Sequence, residues 1–345
     1  MMRAMVLTEP ALIHTSPLVL RDLPVPEPGP GEVLVRVEAC GICRTDLHVV
    51  EGELPSHRPS IIPGHQIVGL VERNGAGAER FKAGDRVGIA WLRSTCGKCL
   101  YCRAGNENLC PYARFTGYDE NGGYADFAVA REDFAYALPP SIDPVVAAPL
   151  LCAGIIGYRA LRRAEVKPGC RLGLFGFGSS ASIAIQVARH WGCAVYVMTR
   201  DEQHQSLARQ LGATWAGGGD EKPPELLDSA ILFAPVGDLV PSALETLDSG
   251  GTLALAGIYL TDIPKLNYER HLFHEKNLRS VTANTRKDGE ELLKLAAEVP
   301  LRPRTTSFSL PDANHALQML KDDEISGSGV LVMNDNTPAR ARFIS

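Results

Sequence analysis

This chain has no excess of positive charge. Its 35 Lys and Arg against 40 Asp and Glu leave a formal net charge of −5. A protein held to nucleic acid by displacing phosphate counterions needs a basic surplus, so no nucleic-acid partner is expected. No apolar run approaches the roughly 20 residues that a bilayer-spanning helix needs, so no membrane partner is expected either. The first residues break at Glu9 and Pro10, too early for a secretory core, and a cytoplasmic location follows as the expectation. Internal repeats and low-complexity tracts are also lacking. What is present is a 345-residue chain, 45% hydrophobic and 22% charged, able to bury a large core. Its length suggests about two domains.

Prolines and glycines punctuate the first 140 or so residues, with short alternating runs between them. In Glu32–Glu38 the valines 33, 35 and 37 share one face, as in a half-buried strand. Similar runs at 5–8, 67–72, 86–90 and 124–129 predict a small β-rich barrel or sandwich. The pattern changes near Cys152. A helical stretch (154–164) precedes a buried strand (171–175), a Gly-rich turn, a helix (183–189), a strand (194–198) and a helix (203–211). Strands are then expected at 229–234, 252–256 and 279–282. Alternating strand and helix predicts a doubly wound parallel sheet, an α/β fold. Two further helices (287–298 and 313–320) and a strand (329–333) close the chain.

Four of the nine cysteines fall within fifteen residues: Cys96, Cys99, Cys102 and Cys110. Two-residue gaps let successive thiolates curl round one ion, and four thiolates make a closed, structural zinc site. The surrounding loop has little apolar material, so the metal would stand in for a missing core. Disulfides are not expected in a chain of this size read as cytoplasmic. Cys43, His65 and Cys152 carry weaker signals. Each alone is as well explained as a core cysteine or a satisfied histidine, and spacing does not show that the three meet.

Taken in order, five motifs carry a family resemblance over nearly the full length. They are Gly41-Ile-Cys43-Arg44-Thr45-Asp46-Leu47-His48, Pro63-Gly64-His65, the four-cysteine lobe, Cys152-Ala-Gly154, and Gly176-x-Gly178-x-x-Ala181. The chain resembles the zinc-containing medium-chain alcohol dehydrogenases, and looks most like the microbial class called propanol-preferring. The resemblance implies a GroES-like β-rich catalytic domain at 1–153 and 287–345, carrying the zinc lobe at about 91–114. It also implies a Rossmann dinucleotide-binding domain inserted at 154–286, with the active site in the cleft between them and Cys152 at the hinge. By the same resemblance Cys43, His65 and Cys152 bind a catalytic zinc with one position open, giving two zinc ions per subunit. Such a zinc acts as a Lewis acid on an alcohol or aldehyde oxygen, and the hydride passes to or from a nicotinamide. Thr45 would hydrogen-bond the reacting oxygen, His48 would finish a proton relay to solvent, and Asp46 would orient His65. Two positions depart from the family's pattern. Gln66 stands where a Glu is usual, which puts in doubt any mechanism in which that side chain becomes a passing ligand. Ile156 stands where a Thr often touches the nicotinamide.

The Gly176-x-Gly178-x-x-Ala181 turn follows a strand and opens a helix, the setting in which such glycines admit a pyrophosphate. By resemblance Arg44 would pair with that pyrophosphate, and Gly257 would also lie at the cofactor. At the end of the second strand of this unit, where an acid would select NAD, the chain has Thr199-Arg200. A hydroxyl and a fixed cation suit a 2′-phosphate, so NADP(H) is favoured over NAD(H), with Asp201 as a rival acid. Leu54 and Trp91 align with positions that narrow the family's substrate pocket, which suits small primary alcohols or aldehydes. A polyol or secondary-alcohol dehydrogenase, and a non-catalytic nucleotide-binding protein, are the competing readings. Relatives pair through the last strand of the Rossmann sheet, so a homodimer or homotetramer is expected, with 252–259 and 279–283 as the pairing stretches.

Overall fold

A computed structural model describes residues 1–333 except Ile258 and Ser326. The stretch 334–345, assigned above to the catalytic domain, and Ile258, within the expected pairing stretch 252–259, therefore lie outside the described residues. The chain divides into two compact units. Among the described residues, the first comprises Met1–Cys152, Ala283–Ala297 and 302–333; the second comprises Ala153–Thr282 and Glu298–Leu301. The divisions fall at 152/153 and 282/283, where the sequence suggested 153/154 and 286/287.

The first unit is built on a seven-stranded sheet. Its path runs Thr305–Ser309, Ser328–Val332, Glu32–Gly41, Gln66–Asn74, Arg86–Ile89 and Ala135–Ala137, with Phe127–Arg131 pairing to Glu32–Gly41. All neighbours are antiparallel except the first two strands. Val33, Val35 and Val37 face the main core with Ile67, Val71, Val87 and Ile89. Leu34 points the other way and is buried too, so this central strand is covered on both faces. A strand at Leu18–Leu23 escaped the sequence pattern because only its first residue is buried. The run expected at 124–129 begins as a strand only at Phe127. Its predecessors bond to the 62–64 segment instead: Gly122 N to Ile62 O (2.7 Å), Gly123 N to Gly64 O (2.9 Å) and Tyr124 N to Pro63 O (3.0 Å).

A helix not foreseen from the sequence, Arg44–Glu51, carries four of the candidate site residues. Cys43 caps its start, because its sulfur accepts the Thr45 amide while the Asp46 carboxylate accepts the Cys43 amide. That reciprocal pair satisfies two amides which the first helical turn leaves without partners. Gly52, at φ +76°, ends the helix in the left-handed conformation that glycine adopts without strain.

In the second unit six strands are all parallel, in the order Trp215–Gly217, Ala194–Met198, Arg171–Phe175, Leu227–Leu232, Leu247–Leu255, Asn277–Ser280. The strand order reverses at Arg171–Phe175, whose neighbours are Ala194–Met198 and Leu227–Leu232. Ligands bind at such a switch point in open α/β sheets. Leu247–Leu255 is paired on both sides, so its backbone has no free edge for a second subunit; only Asn277–Ser280 sits at that edge of the sheet. The expected pairing stretch 279–283 thus begins on the edge strand, whereas the strand part of 252–259 lies inside the sheet.

One further correction concerns apolar runs. The helical stretch Pro144–Arg163 is 20 residues long and apolar enough to cross a membrane, but 67% of its most apolar window is buried inside the protein. It passes through a π turn at Leu150–Gly154, directly after Pro149, whose ring nitrogen has no hydrogen to donate. Cys152 sits in that turn.

Candidate active site and metal centres

The π turn, the capped helix and the turn before Gln66–Asn74 bring Cys152, Cys43 and His65 together. Their ligand atoms all lie within 4.8 Å of one another. Cys43 Sγ is 3.3 Å from His65 Nε2. On the far side of the ring, His65 Nδ1 donates to Asp46 Oδ1 at 2.9 Å, which leaves Nε2 aimed at the two sulfurs. The same carboxylate accepts Gly64 N (3.2 Å) and Cys43 N (2.9 Å), so one buried acid fixes two of the three ligands. Gly64 is needed beside it. Its φ is +97°, and a Cβ there would sit 2.4 Å from Tyr124 Cδ1.

The electrostatics of the cluster suit a bound cation. A hydrogen bond from Cys152 outweighs burial and holds the Cys43 thiol well below its ordinary range. Cys152 is pushed well up by that bond and by burial. Burial opposes a charge on His65, but Asp46 and Cys43 outweigh it and raise its pKa. Burial raises Asp46, and His65 offsets only part of that rise. Two thiols and an imidazole this close are a donor set that a zinc ion would satisfy with one position left open.

In the 96–110 lobe all four ligand atoms likewise lie within 4.8 Å of one another. Cys96 is 3.6 Å from Cys110 and 4.0 Å from Cys102, and Cys99 is 3.5 Å from Cys102. The backbone amides of Lys98 and Cys99 hold the Cys96 thiol down at about 6, whereas burial pushes Cys110 up to about 11. The amides prepare one thiolate, and the last one needs a dication to form near neutral pH. Among the described residues these two groups are the ones that could hold a metal ion in this way.

The remaining candidates are placed as follows. Thr45 is buried and donates its amide to Cys43 Sγ at 3.3 Å. His48 is bonded through Nδ1 to Glu53, and Arg44 pairs with Asp323 at 2.5 Å. Gln66 is buried, with its side-chain amide against Gly41 and, among the described residues, no hydrogen-bond partner for its Nε2. Trp91 lies edge-on to His65, with ring centroids 5.0 Å apart, and stacks with Phe115 (4.9 Å) and Tyr118 (6.0 Å). Leu54 packs on the main core. Sequence reasoning missed Glu53, Asp323, Tyr118 and Tyr124, which are brought in by chain reversals and cross-strand bonds. Only Glu53 had a local signal, the glycine at 52 that stops the helix.

In the second unit, Gly176 has φ +85° and a Cβ there would be 2.8 Å from Ala234 N, so only glycine makes this turn. Among the described residues, a Cβ on Gly178 would meet nothing within 4 Å, and no side chain caps the helix Ser179–His190 that Gly178 opens. Ala181 is buried in that helix, and Gly257 follows the strand Leu247–Leu255. Thr199, also buried, donates its amide to Gly217 O; Arg200 is exposed. Asp201 is committed elsewhere, since its carboxylate accepts the amides of Gln203 (2.6 Å) and His204 (3.2 Å) as a helix cap.

Comparison with known proteins agrees with this arrangement. A family model described as "Alcohol dehydrogenase GroES-like domain" matches residues 29–140, and one described as "Zinc-binding dehydrogenase" matches 181–298. A probable alcohol dehydrogenase, AdhA, of Mycobacterium tuberculosis (strain CDC 1551 / Oshkosh) is 53% identical over 96% of this chain and 97% of its own length. The chain belongs to the zinc-containing medium-chain alcohol dehydrogenases. Among solved structures, a thermostable alcohol dehydrogenase from Pyrobaculum aerophilum with bound cobalt and zinc superposes with a TM-score of 0.87. It is 27% identical, over 96% of this chain and 99% of that one. The CAD from Helicobacter pylori complexed with NADP(H) gives a TM-score of 0.86 at 26% identity, over 97% and 99%. This alcohol dehydrogenase is therefore a nicotinamide-dependent oxidoreductase that moves a hydride between an alcohol or aldehyde and its cofactor.

Proposed function

We propose that this dehydrogenase interconverts small primary alcohols and aldehydes with NADP(H), using a catalytic zinc at Cys43, His65 and Cys152 and a structural zinc at Cys96, Cys99, Cys102 and Cys110. The observation that carries the reading is the convergence of Cys43, His65 and Cys152 within 4.8 Å, with Asp46 behind His65. Zinc held there supplies a Lewis acid for the substrate oxygen. The protein's own residues do the rest. Thr45 holds the hydroxyl proton of the substrate, and His48 passes it to solvent. Trp91 walls the pocket beside His65, with Leu54 as the second narrowing residue. The turn Gly176–Ala181 receives the diphosphate on the amides of its helix, and Arg44 leaves Asp323 to neutralise it. Gly257 lines the cofactor. Thr199 and Arg200 take the 2′-phosphate, and the capping role of Asp201 supports this choice by removing the rival acid. A second copy adds to the edge strand Asn277–Ser280, giving a homodimer or a homotetramer. Nine free cysteines, seven of them in the two clusters, fit a cytoplasmic location, where thiols stay reduced.

The test compares butanal-dependent oxidation of NADPH and NADH by zinc-replete enzyme, together with metal analysis. The expected result is two zinc ions per chain and a clear NADPH preference. An NADH preference would overturn the 2′-phosphate site. Zinc without turnover on any alcohol or aldehyde would favour the non-catalytic reading. Faster turnover of polyols than of butanal would favour the polyol reading.

A further inference from the structure

The geometry points to Glu53 as a positioning residue for the proton relay: it holds His48 with Nδ1 protonated and Nε2 bare as the proton acceptor. The inference rests on the relay reading of His48 given above. Its basis is the way the Arg44–Glu51 helix ends. Gly52 turns into the left-handed region, and three successive amides then converge on one carbonyl. Gly52 N caps back to His48 O, Glu53 N donates to it at 3.0 Å, and Leu54 N at 3.3 Å. The backbone of His48 is thereby clamped, and the reversal lays the Glu53 carboxylate on His48 Nδ1.

An ionised carboxylate only accepts hydrogen bonds, so the ring nitrogen facing it carries the hydrogen in the neutral imidazole. The other nitrogen, Nε2, then presents its lone pair, as a group receiving a proton must. Thr45, one turn earlier at i−3, lies on the same side of the helix as His48. The neighbouring charges are already engaged. Arg44 pairs with Asp323, and Glu51 takes the Ile13 amide (2.8 Å) and Lys321 from the helix Ala313–Lys321 (2.7 Å). His14, on the turn beside Glu51, adds to the field at that carboxylate. Glu53 is the acid that faces His48. The Glu53 side chain is 57% exposed and that of His48 20%, so the contact acts by fixing orientation and tautomer more than by its screened charge.

The experiment uses zinc-loaded enzyme carrying 15N-histidine, in the parent, E53A, E53Q, H48Q and H48Q/E53A forms. The His48 ring nitrogens are assigned by their loss in H48Q. In the parent the neutral ring should show Nδ1 protonated; in E53A it should become a mixture of tautomers. Single-turnover alcohol oxidation should slow about three- to tenfold in E53A, below the usual range for residues that orient metal ligands because this pair is partly solvated. E53Q, which keeps an acceptor oxygen, should fall between the two. In the H48Q background, E53A should change nothing further. An unchanged tautomer in E53A, or an equal slowing by E53A with and without His48, would overturn the proposal. If H48Q slows oxidation and E53A does not, the role of Glu53 fails alone. If H48Q itself oxidises alcohol as fast as the parent, the relay reading has failed and this inference with it.

Discussion

Replacing Asp46 with Asn probes the part of the site on which most else depends. Asp46 is 2% exposed, and its two oxygens take three hydrogens, from His65 Nδ1 and the amides of Gly64 and Cys43. An amide keeps one acceptor oxygen and puts two hydrogens in place of the other. If its oxygen stays on His65 and Gly64, its NH2 confronts the Cys43 amide, donor against donor. Flipped, it confronts His65 and Gly64. Either way at least one buried donor loses its partner, at a cost of about 1–3 kcal/mol. At about 1.4 kcal/mol per decade, that weakens zinc at Cys43, His65 and Cys152 by roughly five- to 150-fold, a span that contains the 10- to 100-fold typical of such partners. Competition with a chelator of known affinity measures it. The four-cysteine lobe shares no atom with Asp46 and serves as the internal control, so zinc content should fall towards one per chain as the chelator rises. The same change removes half of the reciprocal cap on Arg44–Glu51, which should cost about 1 kcal/mol in thermal unfolding. A change under twofold at the catalytic site, or equal loss at both sites, would refute the reasoning.

Three further outcomes are expected. T199D should repel a 2′-phosphate and raise the KM for NADPH about tenfold or more while NADH improves or holds; equal losses with both would place the ribose elsewhere. Glu51 is raised by burial, but the Ile13 amide and Lys321 outweigh that and hold its pKa below the ordinary value. Its contribution is therefore present above about pH 4.3 and lost as pH falls through the lower folded value. E51Q should lower stability at pH 7 by about 1–2 kcal/mol and flatten the acid limb of denaturant midpoint against pH; an unchanged acid limb would count against the assignment. Burial and the neighbouring Cys193 push the Cys170 thiol up to about 12. At pH 8 iodoacetamide should therefore label Cys170 far more slowly than an unstructured thiol, as mass spectrometry of timed digests would show.

Much of this protein was legible in its residues alone, wherever a local spacing carried the physics. Four cysteines at gaps of two, two and seven residues specify one cluster, because ligands so close in the chain can meet without help from the fold. Alternating strand and helix patterns located the parallel sheet because burial on that sheet repeats with the backbone's own period. Cys43, His65 and Cys152 were different. They are separated by 22 and 87 residues, and only the helix cap at Cys43, the π turn at Cys152 and the bonds from residues 122–124 to 62–64 bring and hold them in place. The engagement of Asp201 as a cap, the pairing of Leu247–Leu255 on both sides, and the contact of Glu53 with His48 were likewise decided by tertiary structure. Each depends on where a chain reversal or a neighbouring strand puts a polar group, and a hydrogen bond formed over about 3 Å leaves no periodic trace in the sequence.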